Sequence, residues 1–127
     1  MIRTFLLCSV LAISVSACSK GGDEALMEKS VNMIEGLAKA VDSAGGDCGK
    51  MATSVGDFVK SNQSTLKEIQ AEAEAIKKDE ARAKAMAKAA DKYKDRMMKA
   101  MPAMMGMAKC ADDPKMKEIS EELKGLM

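Results

Sequence analysis

The sequence predicts an all-α fold, an antiparallel bundle of about four helices built around a long central helical hairpin. Three observations predict it. Apolar residues recur at three- and four-residue steps through most of the chain, which is the spacing of one helix face. Nowhere after residue 17 do β-branched residues alternate over four or more positions, so no strand signal competes. Cys48 and Cys110 stand equidistant from residue 79, within Ile76-Lys77-Lys78-Asp79-Glu80. Two antiparallel helices turning there would carry both cysteines to the same end.

The first helix is expected over 24–43. Met27, Val31, Ile34, Ala38 and Val41 step along one face, widened by Leu26, Met33 and Leu37. Ala44-Gly45-Gly46 ends it, and Asp47 is placed to cap the next helix. The first hairpin arm, about 47–77, carries Cys48, Met51, Ala52, Val55, Phe58, Val59, Leu66, Ile69, Ala73 and Ile76 on one face. Ser61-Asn62-Gln63-Ser64-Thr65 interrupts it with polar residues, and Thr65-Leu66-Lys67-Glu68 reads as a capping box. The apolar phase survives this patch, which favours one long helix over two helices broken near 62.

The second arm, about 80–108, carries Ala83, Met86, Ala90, Tyr93, Met97, Met101, Met104 and Ala108 on its expected core face. The turn near Asp79 has neither Gly nor Pro to mark it. A last helix is expected over about 114–125, with Asp113 as N-cap and Pro114 at its first position. Met116, Ile119, Leu123 and Leu126 give it an apolar side. Short loops make consecutive helices antiparallel neighbours. The first helix should then lie against the first half of arm one, and the last helix against the end of arm two. The far end, about 65–95, is expected to project as two helices rich in Ala and charge.

The N-terminus supplies the location. Met1-Ile2-Arg3-Thr4 is a short basic start, and Phe5 to Val15 is an apolar run too short to span a bilayer, which takes about 20 residues. Val15-Ser16-Ala17-Cys18 follows and resembles the lipobox of bacterial lipoproteins. That resemblance implies a signal peptide over 1–17, cleavage before Cys18, and acylation of Cys18. Residues 18–23, Gly-rich, are expected as a short tether, and 24–127 as the bundle domain. The position after Cys18 is Ser19 rather than Asp, which favours the periplasmic face of the outer membrane. In an exported, oxidising compartment the remaining pair Cys48 and Cys110 is expected to form a disulfide.

Composition narrows the function. Loss of Arg3 with the signal would leave basic and acidic residues equal in number, which argues against a nucleic-acid partner. There is no His in the chain, so the usual general base, the commonest zinc ligand and the usual haem ligand are missing. No Gly-x-Ser-x-Gly, phosphate-binding Gly loop or Cys-x-x-Cys-His occurs. Binding rather than catalysis is the expectation, and no cofactor is required.

The local anomaly is Met97-Met98-Lys99-Ala100-Met101-Pro102-Ala103-Met104-Met105-Gly106-Met107. Three readings stay open. Met97, Met101 and Met104 fall on the expected core face, and Met fills irregular helical cores well. The cluster could instead form a sticky stripe for a protein or lipid partner. Thioethers are also soft ligands suited to Cu(I) and Ag(I), so Met97, Met98, Met101, Met104 and Met105 are candidate metal ligands. In this respect the run is similar to Met-rich exported copper-handling proteins. The leading expectation is an envelope lipoprotein attached through Cys18 that binds a protein partner. A Cu(I) module and a carrier of apolar ligands are the alternatives.

Overall fold

The computed structural model describes the backbone of residues 14–126 and the side chains of 22–124. Five helices follow in order among the described residues: α1 Ser14–Asp42, α2 Cys48–Ser61, α3 Gln63–Lys77, α4 Glu80–Lys109 and α5 Pro114–Leu126. The all-α bundle is therefore observed, and Cys48 is bonded to Cys110 with their Cα atoms 5.3 Å apart. The expected signal peptide lies almost wholly outside the described residues, as does the side chain of Cys18.

Local chemistry accounts for the helix ends. Gly45 and Gly46 take positive φ of 59° and 86°, which stops α1 where a side chain would be strained. The Asp47 carboxylate accepts from the Lys50 N–H at 2.9 Å and caps α2. Asp113 does the same for α5, accepting from Lys115 and Met116. The unmarked turn is made by Asp79, whose Oδ1 accepts from the N–H groups of Ala81 and Arg82 at 3.0 and 3.1 Å. An Asp N-cap was the legible signal there.

Several expectations are corrected. The arm over 47–77 is two helices, divided at Asn62, whose side-chain amide donates to the Phe58 carbonyl at 2.8 Å. The Phe58 carbonyl also accepts from the Asn62 backbone N–H at 3.1 Å, and Asn62 leaves helical geometry at φ −115° without shifting the apolar face. The Thr65–Glu68 capping box does not form, because α3 already starts at Gln63 and Glu68 accepts from Lys29 of α1. The segment 18–23, expected as a tether, belongs to α1. Its continuation carries Asp23 into a buried contact with Arg82.

The longer α1 changes the packing. Asp23 meets Arg82, Glu35 meets Arg96, and Val41 lies 3.6 Å from where a Cβ on Gly106 would stand, so α1 and α4 run parallel. The principal neighbour of α4 is α1, which also packs on α2 and α3. The far end is thus a three-helix layer rather than a two-helix projection. α5 packs on α2 and α3 instead of the end of α4. Gly56 permits this approach, since a Cβ there would stand 3.3 Å from Ile119 Cδ1. Gly36 is tighter still: a Cβ would stand 2.6 Å from the Phe58 ring, so α1 and α2 meet through a missing side chain.

The core gathers at the disulfide end. Ala38, Val41, Met51, Val55, Val59, Ala100, Ala103, Cys110 and Met116 form one buried cluster. Burying such side chains stabilises by roughly 1.5–3 kcal/mol for each larger one.

Candidate functional site

The rotation of α4 about its axis decides what the methionine run does. Cys110 is buried and bonded to Cys48, so its side of α4 must face inward. Ala103 and Ala100 fall near that side and are buried, as is Ala89. Met101 is nine residues before Cys110, which at 100° per residue puts it half a turn away. It faces solvent, together with Met98 and Met105.

These are the large exposed apolar residues of the described chain: Met98 is 59% exposed, Met101 58% and Met105 65%. The expected core face of α4 is therefore corrected. Met101 is outside, Met97 and Met104 are half-buried at the flank, and alanines occupy the interior. Small residues let α4 approach α1 closely, and the disulfide fixes the phase. Core packing thus accounts for part of the run, with Met107 packed against the buried cluster and Met97 and Met104 half-buried, but not for the exposed trio.

The trio forms a straight stripe, with intervals of three and four residues. Side chains at such intervals are neighbours, with Cβ atoms about 5–6 Å apart. Pro102, also exposed, lies beside the stripe within an unbroken α4. Lys94 and Lys109 stand four residues before and after it, both exposed. Neither cysteine near this end can act as a thiolate, since both are in the disulfide. Among the described residues no group of three or more His, Cys, Asp or Glu is arranged to hold a metal ion. Of the candidate ligands, Met98, Met101 and Met105 stand exposed on one face of α4, while Met97 and Met104 are half-buried.

The opposite end carries charge instead. Arg82 donates from Nε and Nη2 to Asp23 Oδ1 at 3.0 and 2.7 Å, and from Nη2 to Glu72 at 2.9 Å, joining α1, α3 and α4. Asp23 is only 3% exposed. These bonds hold the Arg82 guanidinium firmly protonated. Midway along, Arg96 forks onto both oxygens of Glu35 at 2.8 and 2.7 Å and lies over the Tyr93 ring, 5.6 Å from its centre. The Arg96 hydrogen bonds hold the Glu35 carboxyl below its ordinary 4.5. Sequence reading did not single out Arg82 or Arg96, because their partners lie about 60 residues away.

A groove of about 360 Å³ runs between α1 and α3, lined by Met33, Ile34, Leu66, Ile69 and Ala73 among others. Among the described residues no helix is long and apolar enough to cross a membrane.

Taken together, fold and site define a disulfide-closed all-α bundle with an exposed thioether stripe. No family model matches the chain, and neither a curated protein nor a solved structure is similar to it.

Proposed function

We propose that this protein is a lipoprotein of the bacterial cell envelope, attached through acylated Cys18 to the periplasmic face of the outer membrane. It works there as a non-catalytic binding module. Its working surface is the Met98–Met101–Met105 face of α4. The observation that carries this reading is the exposure of three large apolar side chains in one line, at a position where solvent alone would be met by polar residues. Met is suited to such a surface because its flexible, polarisable side chain adapts to what it touches.

Geometry supports the pairing of anchor and surface. Because α1 and α4 run parallel, Cys18 lies toward one end of the bundle and the stripe toward the other. Glu35, level with Arg96, is seventeen residues beyond Cys18, roughly 25 Å along the helix at 1.5 Å per residue. This separation supports a stripe that an anchored protein would hold clear of its membrane.

Two measurements test this. Metabolic labelling with palmitate should mark the protein, and Cys18→Ala should abolish the label; an unlabelled wild-type protein sinks the anchor. Dilute peroxide should oxidise Met98, Met101 and Met105 more slowly in intact envelopes than in the purified protein. Equal rates in both would show a stripe that meets only water.

The groove between α1 and α3 supports a second reading, an apolar-ligand carrier. Native mass spectrometry of the purified protein should then show a bound acyl-type ligand, lost on Ile69→Glu.

A further inference from the structure

We propose that Met98, Met101 and Met105 together bind one soft monovalent metal ion, Cu(I), with Ag(I) as an equivalent probe. This rests on the reading of the α4 stripe as the working surface and names what it takes.

The donor chemistry selects the ion. A thioether sulfur is neutral, polarisable and a poor ligand for Mg²⁺ or Ca²⁺, which require oxygen, whereas it suits Cu(I). The chain has no His, and Cys48 and Cys110 are bonded to each other, so no stronger soft donor near this end competes with the thioethers. The geometry allows a shared ion. Met101 lies three residues from Met98 and four from Met105, so it neighbours both on one face. Each side chain has three rotatable bonds and is more than half exposed, so its sulfur can swing over Met101 without leaving a packed site.

An apolar docking face would work equally well with leucine, and a metal site would not. Leu at 98, 101 and 105 keeps size, apolarity and helix propensity while removing all three sulfurs.

The test is a methyl-group NMR titration of the purified full chain, disulfide intact, carrying labelled methionine methyls. Ag(I) should shift the methyls of Met98, Met101 and Met105, saturate at one ion per chain, and leave those of Met51 and Met116 in place. Under anaerobic conditions the protein should also withdraw Cu(I) from a chromogenic chelator. The triple variant Met98→Leu, Met101→Leu, Met105→Leu should lose both responses, while Met33→Leu should keep them. A thermal melt of the triple variant matching the parent shows that the loss is not unfolding. No shift with Ag(I), or undiminished binding by the triple variant, overturns the proposal. Its failure is separable from that of the parent reading: silence toward both ions with peroxide protection retained in envelopes removes the metal and leaves the docking surface.

Discussion

The two ends of the bundle are built from different forces. At the disulfide end, α1, α2, α4 and α5 enclose an apolar cluster with Met51, Val55 and Met116 at its centre, and Cys48–Cys110 closes it covalently. At the other end α1, α3 and α4 bury a smaller apolar set, Leu26, Val31, Ile76 and Ala89, and are joined by Arg82 with Asp23 and Glu72 and by single pairs such as Lys92–Glu24 and Lys29–Glu68. The core end also carries three exposed methionines on its outer face, Met98, Met101 and Met105. The charged end has less apolar burial and is held by directional contacts, which set the alignment of helices more than they add stability.

The comparison can be broken at the bridge first. Replacing Cys48 and Cys110 with Ser should destabilise the protein by about 2–5 kcal/mol in guanidinium unfolding, because a long loop of the unfolded chain is released. A loss within error of zero would mean that the apolar cluster alone secures this end.

Next in size is a contrast between methionines. Met51→Ala empties a fully enclosed site and should cost about 2–5 kcal/mol. Met101→Ala removes a side chain from solvent and should leave stability within about 0.5 kcal/mol of the parent. Equal costs would show that the stripe is buried by something, such as a second copy of the chain.

At the charged end, Arg82→Met strands the buried Asp23 carboxylate and should lower the melting temperature. Asp23→Leu combined with Arg82→Met should recover part of that loss, since an apolar pair replaces an unpaired charge. Amides of α3 and the first half of α4 should also exchange faster than those of α2, as expected where apolar burial is thin. Protection spread evenly over the two ends would erase the distinction.

The smallest effect sharpens the middle. Glu35 titrates below its ordinary value in the fold, so its contribution is present above about pH 4.5 and is lost as pH falls through the lower folded value. Glu35→Gln should therefore reduce stability near neutrality and converge with the parent in acid. A constant gap at every pH would assign the loss to packing.

Much of the helical organisation was legible from local patterns. The caps at Asp47 and Asp113 and the glycine stop at 45–46 followed from residue type and spacing, and the disulfide from the exported compartment that the lipobox resemblance implies. The break at Asn62 was visible as a polar patch, but periodicity argued for continuity, and a single residue that keeps phase leaves no trace in a periodic pattern. The face of α4 was misjudged because Met outranks Ala as a core candidate when residues are weighed singly. Choosing Cys110 as the reference for the inward direction would have put Ala100 and Ala103 inside and Met101 outside.

The sequence by itself determined the all-α class and where most helices start and stop, because these depend on backbone propensity and capping; the cysteine pairing followed from the lipobox resemblance, which takes Cys18 for lipid and leaves one pair in an oxidising compartment. Tertiary structure alone decided that α1 rather than arm one is the main neighbour of α4, and that Arg82 and Arg96 of α4 find their carboxylate partners on α1. The reason is spatial. α1 and α4 approach through small buried side chains, Ala38, Ala100 and Ala103, and their ion pairs join positions about 60 residues apart. Neither condition can be read from one strand of periodicity, since each depends on what stands opposite.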